Sequence, residues 1–131
     1  MKDKEIIFDN LPTSEETNFF IKNFESYLKG TVAIESLYKS YPFIKEVDLD
    51  LFKKDFQRLR TELVSRKKVK IYTPITVSIS LIRYILKVLT SYSKSRIVLE
   101  PLVDSSIVAG IKFNLDGKIY NLTLENINSK R

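Results

Sequence analysis

The N-terminal half of the chain carries apolar residues at the three- and four-residue spacing of amphipathic helices. Thr13 and Glu16 match a capping box, so we expect the first helix to begin there. Gly30 follows at the position of a left-handed C-terminal cap. The apolar stripe of this helix consists of Phe20, Ile21, Phe24 and Leu28.

Two further helices are predicted before residue 64. A short one covers residues 31–38, and Pro42 must end it because the residue before a proline disfavours the helical conformation. Asp48 can cap a longer one. The apolar positions of that helix alternate three- and four-residue steps, at Leu49, Phe52, Phe56, Leu59 and Leu63. The stripes either form a mutual core or line a groove for a partner helix, because both arrangements need the same pattern.

After residue 65 the pattern changes to short strands around one helix. Residues 69–73 alternate apolar and polar positions, which predicts a strand that Pro74 ends. Thr76 or Ser78 can cap the helix that follows, with Arg83 and Lys87 away from its apolar face. The apolar face of this helix is formed by Ile79, Ile82, Ile85, Leu86 and Leu89.

The last elements are a strand and a hairpin. Residues 96–100 are rich in β-branched residues and are followed by Pro101, which should stop the strand. Residues 111–115 and 118–122 flank Asp116 and Gly117, a dipeptide favoured in two-residue hairpin turns. The chain is therefore predicted to be α+β: residues 1–64 a bundle of about three helices, and residues 65–131 a small α/β domain of strand, helix, strand and hairpin.

The composition favours binding over catalysis. The 131 residues include no Cys and no His, which excludes disulfides, thiolate zinc sites and the commonest general base and metal ligand. The three glycines lie too far apart for a phosphate-binding loop. We expect no catalytic residue, no metal, no cofactor and no small-molecule ligand. A hydrolase that uses Ser or carboxylates stays as a minor alternative.

The charge is divided unevenly along the chain. Residues 1–64 hold ten basic and twelve acidic residues, giving −2, whereas residues 65–131 hold twelve and four, giving +8. A basic half attracts nucleic acid, anionic lipid or an acidic protein surface. A small nucleic-acid-binding protein, with contacts from residues 66–70 and Tyr72, is one alternative. An acidic protein partner is at least as well supported.

The chain shows no export or membrane-spanning signal. Its first ten residues mix acids and bases, unlike a signal or transit peptide. The most apolar region, residues 79–89, is interrupted by Ser80, Arg83 and Lys87 and is shorter than the roughly 20 apolar residues that span a bilayer. We expect a cytoplasmic protein.

Residues 103–110, with the sequence VDSSIVAG, precede the hairpin. Together with residues 72–75 (YTPI) and 121–124 (NLTL), they give the chain a resemblance to the C-terminal region of the F-type ATP synthase delta subunit, called the oligomycin-sensitivity-conferring subunit in mitochondria. Ser105 and Ala109 stand where that family has Pro and Gly. The residues that match the family's turn are Val103, Asp104, Ser106, Ile107 and Gly110.

The same turn also has a purely structural interpretation. Asp104 can accept hydrogen bonds from backbone N–H groups, Ile107 can pack inward, and Gly110 can take a conformation that a Cβ would obstruct. A related turn occurs in the peripheral-stalk E subunit of archaeal and vacuolar rotary ATPases. That subunit should begin with a long uninterrupted helix, which Gly30 and Pro42 disfavour here.

The resemblance implies a non-catalytic stator subunit that links the catalytic head of a rotary ATP synthase to its membrane-anchored stalk. The implied partners are the alpha subunits of the head, with the beta subunits as further candidates, and the helical b-type stalk subunits. The resemblance implies no nucleic-acid partner. It implies that the protein lies at the inner face of the bacterial membrane only because the complex is anchored there.

Periodicity and charge suggest which residues would bind these partners. For the head we expect Phe20, Phe24 and Leu28, on the view that an amphipathic helix lies between the N-terminal helices. For the stalk we expect four basic residues, because a half-chain of +8 needs an acidic counterpart. They are Lys70, Arg83, Lys87 and Lys112.

Overall fold

The computed structural model describes residues 2–93, 95–115 and 117–123. The chain divides into two compact units, Met1–Arg66 and Lys67–Arg131, here called the helical unit and the sheet unit. In the described residues five α-helices precede a four-stranded mixed sheet and a sixth connects its first two strands, so the predicted α+β class is confirmed. The division falls two residues after the boundary expected from the sequence, because Arg66 is buried among the helices.

The helical unit contains five α-helices and a 3-10 turn within its described residues, where three helices were expected. In chain order they are α1 Lys2–Asn10, α2 Ser14–Leu28, α3 Ile34–Ser40, the 3-10 turn Pro42–Glu46, α4 Leu49–Lys54 and α5 Phe56–Val64. Helix α1 was not predicted. The prediction of one long third helix was wrong in one respect, because Asp55, at φ −98° and ψ 10°, separates α4 from α5.

The ends of α2 follow the sequence signals closely. Thr13 Oγ1 accepts the Glu16 N–H at 3.2 Å, and its hydroxyl donates to the Glu16 carboxylate at 3.2 Å. At the other end Gly30 has φ 84°. The N–H of Gly30 donates to the Tyr27 carbonyl and that of Thr31 to the Ser26 carbonyl, which is the Schellman pattern. The capped α2 therefore has fixed limits on both sides.

Aromatic rings fill the core of the helical unit. Phe24 lies 4.6 Å from Phe52 and 4.7 Å from Phe56, measured between ring centroids, and 5.8 Å from Phe20. The residues on both sides of the break at Asp55 thus pack against the same ring. Edge-to-face and tilted pairs at these distances stabilise a core beyond the apolar area they bury.

Arg66 ties three segments of the helical unit together. Its side chain is buried, and its guanidinium donates to the carbonyls of Leu63 and Leu11 and to Thr17 Oγ1 at 2.7 to 3.1 Å. It also lies over the Phe8 ring, with 5.3 Å between Cζ and the ring centroid. The planar fork of five N–H groups suits this set of diverging acceptors, which the ammonium of a lysine could not reach together.

The sheet unit consists of β1 Lys67–Thr73, α6 Ile79–Ser93, β2 Ile97–Val103, β3 Gly110–Leu115 and β4 Lys118–Thr123. The strand order is β2-β1-β3-β4, with β1 parallel to β2 and antiparallel to β3. Helix α6 begins where Ser78 Oγ accepts the Leu81 N–H at 3.3 Å. Its apolar side packs on one face of the sheet, forming a core with Val69, Ile71, Leu99 and Leu115.

Two sequence expectations for the strands have different outcomes. Strand β2 runs through Pro101 to Val103, so the expected stop at Pro101 was wrong. An edge strand tolerates a proline, and β2 is at the edge of the sheet. The hairpin is confirmed, with Leu115 opposite Lys118 and Gly117 at φ 77°, whereas Asp116 lies outside the described residues.

Candidate functional site

The residues predicted to contact the catalytic head do not form a surface. Phe20 and Phe24 have no exposed surface, because the α2 stripe packs into the aromatic core of its own unit. Only Leu28 reaches solvent, at 42% exposure. The groove prediction is therefore wrong for the two phenylalanines, and the stripe is the mutual core that the same pattern also allowed.

The helical unit has a groove elsewhere, between α1 and the α4–α5 pair. Its volume is about 260 Å³. Lys4 and Glu62 form an ion pair across it, with 2.6 Å between Nζ and Oε2. Leu51, on its wall, is 41% exposed. The groove is lined by Asp3, Lys4, Ile7, Leu51, Phe52, Asp55, Arg58, Leu59 and Glu62. An apolar floor with charged residues on the rim suits an amphipathic helix.

Sequence reasoning missed this groove because it missed α1. The signal was present, since Ile7 and Leu11 are spaced as one face of a helix and both are buried. A groove between two helices is also a tertiary feature, which periodicity along one helix does not encode.

Two of the four predicted stalk residues lie on the sheet face that turns away from α6, here called the outer sheet face. Lys70 alternates with the buried Val69 and Ile71 along β1, so it points away from the helix. Lys112 is opposite Tyr72 in the β1–β3 register and shares that face. Together with Lys68 they give the outer sheet face a positive charge, which Glu100 partly offsets at 4.0 Å from Lys68.

Arg83 and Lys87 lie on the other side of the sheet unit. Both are exposed on α6, whose buried residues Ile82, Ile85, Leu86 and Leu89 face the sheet. A two-layer unit therefore separates Arg83 and Lys87 from Lys70 and Lys112. The four residues predicted as one stalk-binding set form two surfaces on opposite faces.

The predicted signature turn is an ordered connection between β2 and β3. Asp104 Oδ1 accepts the Ser106 N–H at 3.0 Å and the Ser106 hydroxyl at 2.6 Å. The Asp104 N–H donates to the Thr73 carbonyl at 2.7 Å, and Ile107 is buried. Gly110 has φ 103°, which a side chain rarely adopts, and Val103 is 58% exposed. The structural roles expected for these residues are thus present.

The electrostatics of this turn are local. The pKa of the Asp104 carboxyl lies below its ordinary value of 3.8 because Ser106 donates to the ionised form through its hydroxyl and its backbone N–H. Desolvation opposes the shift, and the positive charge of Lys112 adds to it weakly. The ionised Asp104 carboxylate thus accepts both hydrogen bonds of its turn.

Part of the resemblance falls outside the described structure. Leu124 lies beyond it, and the side chains of Leu122 and Thr123 are not described, although the backbone of both belongs to β4. The structure therefore places the backbone of residues 121–123 opposite residues 110–112 of β3, and only Leu124 of this segment lies outside the described residues.

Neither a metal centre nor a membrane span stands out in the part of the chain that the structure describes. No cluster of three or more His, Cys, Asp or Glu side chains there could hold a metal ion. No helix among the same residues has the length and apolar character to cross a bilayer. Comparison of the chain with protein-family models and with curated proteins found no match.

Proposed function

We propose that the chain is a non-catalytic stator subunit of a rotary F-type ATP synthase. It would link the catalytic head to the membrane-anchored stalk and resist the torque of the rotor during proton-driven ATP synthesis. The observation that carries the proposal is the contact between residues 72–75 and residues 103–110, where Thr73 of β1 lies opposite Val103 of β2. These two stretches carry the family resemblance, lie about 30 residues apart in the chain and meet where the Asp104 N–H donates to the Thr73 carbonyl.

The division of the chain into two units also supports a linking role. A tether needs two attachment surfaces, and each unit has its own core and its own candidate surface. Residence time at such surfaces depends on buried apolar contacts, whereas charged rims govern approach and register. The groove of the helical unit combines buried apolar residues with a charged rim, and the surfaces of the sheet unit supply basic residues.

For the head we now place the contact in the groove between α1 and the α4–α5 pair. Its apolar floor and mixed rim suit an amphipathic helix of an alpha subunit. Leu51 tests this placement. It is 41% exposed on the groove wall, and Leu28 on α2 is 42% exposed but is not part of the groove.

The first experiment is co-purification of the full chain from its source organism, with the accompanying proteins identified by mass spectrometry. We expect alpha-type and b-type subunits in stoichiometric amounts, and we expect membranes stripped of the chain to lose coupled ATP synthesis until it is added back. A chain that stays alone in the presence of purified head and stalk would contradict the proposal.

The second experiment compares Leu51→Lys with Leu28→Lys in binding to the purified catalytic head. We expect Leu51→Lys to weaken binding by about tenfold or more, because it replaces an apolar side chain of the groove wall with a charged one. Leu28→Lys should leave the affinity within about twofold, as expected for a residue outside an interface. The opposite ranking would return the contact to α2, as the sequence pattern first suggested.

A further inference from the structure

The outer sheet face contains an open groove of about 730 Å³. Alternation along β1 places Lys68, Lys70 and Tyr72 on this face of the sheet. Lys112 of β3 lies opposite Tyr72. These four residues line the groove together with Asn114 and Ile119.

The groove carries an excess of positive charge. Lys68 and Lys70 are two residues apart on one strand, which separates them by about 7 Å. Lys112 is diagonal to Lys70 on the neighbouring strand, at about 7–8 Å. Glu100, 4.0 Å from Lys68, is the one acidic side chain that the described residues add to the lining. Three ammonium groups against one carboxylate suit a ligand that carries several negative charges in a row.

The position of these lysines in the sheet defines the kind of ligand. The strand order β2-β1-β3-β4 puts both lysine-bearing strands, β1 and β3, in the interior, so each has a neighbouring strand on both sides. An extended peptide binds best at a sheet edge, because it gains backbone hydrogen bonds there. A ligand above interior strands contacts side chains alone. Nucleic acids bind in this way, through their phosphates and the faces of their bases.

Apolar side chains beside the lysines favour a single strand over a duplex. Tyr72 is half-buried and lies between Leu102 of β2 and Lys112 of β3. Leu102 and Ile119 on this face are 40% and 64% exposed. An unpaired base can stack on the Tyr72 ring and pack against such side chains, whereas the bases of a duplex are stacked on one another. The exposed Asn114 amide can both donate to and accept from a base edge.

The other basic surface of the sheet unit lacks this combination. Arg83 and Lys87 are exposed on α6. At about 100° per residue, Arg83 lies about 100° around the helix from Tyr84 and about 180° from Tyr92, so only Lys87 borders an exposed ring. The α6 surface therefore provides matched controls of charge and aromaticity. Its apolar stripe outside the core consists of Leu81, Tyr84, Val88 and Tyr92.

We infer that the outer sheet face is a binding site for single-stranded nucleic acid, with phosphates at its three lysines and a base on Tyr72. This function goes beyond the proposed stator role and does not depend on it. The sequence suggested residues 66–70 with Tyr72 for such contacts. Arg66 is buried in the helical unit and is not part of the site, whereas Lys112 joins it through the pairing of β1 with β3.

The test measures binding of the full chain to a fluorescently labelled single strand of about 12 nucleotides, by anisotropy at a series of salt concentrations. We expect Lys70→Gln with Lys112→Gln to raise Kd by about tenfold or more at low salt. The slope of the logarithm of the association constant against the logarithm of salt should become shallower by about 1.4, because each lost phosphate contact removes about 0.7. The control, Arg83→Gln with Lys87→Gln, removes the same charge and should change Kd by less than about threefold.

A second pair of variants tests the stacking of a base. Tyr72→Leu keeps an apolar side chain but removes the ring, so it should raise Kd by about fivefold or more. Tyr84→Leu on α6 is the control and should leave Kd within about twofold. Circular dichroism and thermal unfolding of each variant check that the fold is retained.

Each outcome either supports the inference or overturns it. Loss of binding confined to the outer-face variants, with folded controls that bind normally, supports it. A wild-type chain that does not bind the single strand at low salt overturns it, and so does equal weakening by the α6 pair, which would show attraction by total charge alone. Duplex, polyglutamate or vesicles of anionic phospholipid that bind as tightly as the single strand also overturn it. None of these results changes the stator proposal, which binding to the head and the stalk decides.

Discussion

The two units are almost equal in length but differ in how they handle their apolar side chains. The helical unit encloses its aromatic rings, whereas the core of the sheet unit is mainly aliphatic. Among the described residues thirteen large hydrophobic side chains are exposed, and nine of them lie in the sheet unit. Burial is therefore more complete in the helical half, and the sheet half keeps more apolar surface available for a partner.

This difference bears on what each unit contributes to the proposed tether. A unit that buries its large side chains owes its stability to its own core and offers a groove. The sheet unit leaves Tyr84 and Tyr92 exposed, so it keeps apolar surface that a partner would cover. Four substitutions, taken from the largest expected effect to the smallest, test this contrast.

Phe24→Ala should have the largest effect. Phe24 has no exposed surface and contacts Phe20, Phe52 and Phe56, so its removal leaves a cavity in the aromatic core. We expect the free energy of unfolding of the helical unit to fall by about 3–5 kcal/mol. Urea denaturation followed by circular dichroism measures it. Leu28→Ala is the control, because Leu28 lies on the same helix but is 42% exposed. If both variants lost the same free energy of unfolding, the stability of the helical unit would not depend on its enclosed rings.

Arg66→Met should follow. The apolar side chain would leave the carbonyls of Leu11 and Leu63 and the Thr17 hydroxyl without their buried donor. Each unsatisfied buried acceptor costs about 1–3 kcal/mol, so we expect a loss in this range or above. Chemical denaturation measures the stability of this variant beside that of Arg58→Met. Arg58 is the control because its side chain is 79% exposed. If the two variants were equally stable, the helical unit would not depend on this buried guanidinium.

Tyr84→Ser on α6 should change stability little. The side chain is 65% exposed and lies outside the core of the sheet unit, so we expect a change within about 0.5 kcal/mol. Ile82→Ser on the buried side of the same helix is the control and should be strongly destabilising. Thermal unfolding of both variants gives the comparison. A large loss from Tyr84→Ser would mean that this surface serves folding.

Ser106→Ala should have the smallest effect on stability and a clear effect on one titration. Removing the hydroxyl takes away the main donor to Asp104, so the pKa of that carboxyl should rise toward 3.8. Ser106 donates to the ionised form of Asp104. The contribution of these hydrogen bonds to the free energy of unfolding is therefore complete above about pH 4 and is lost as the pH falls through the lowered pKa. A pH titration followed by carbon-13 NMR of the Asp104 carboxyl measures the shift, and an unchanged pKa would contradict it.

Local sequence signals predicted much of the fold. Capping at Thr13, Asp48 and Ser78 is present as expected, since each depends on residues within one turn of the helix. The positive φ at Gly30 and Gly117 follows in the same way from short motifs. The prediction of one long helix after Asp48 was wrong for a tertiary reason, because Asp55 divides it at the point where the Phe52 and Phe56 rings both pack against Phe24.

The candidate surfaces were harder to predict than the elements. The sequence pattern identified Arg83 and Lys87 as lying away from the apolar face of α6, but it could not show that a sheet separates them from Lys70 and Lys112. It also could not separate a stripe that is core, at Phe20 and Phe24, from one that is exposed on α6. Both have helical periodicity, and only the packing of neighbouring elements determines which is covered.

Pro101 has a consequence for the behaviour of the protein in concentrated solution. It lies within β2, opposite Ile71 of β1, at one border of the sheet. A proline has no N–H to donate, so a strand from another molecule that approached this border would find an interrupted ladder. Replacing Pro101 with a residue such as Val would complete that ladder and favour growth of the sheet from chain to chain into fibres.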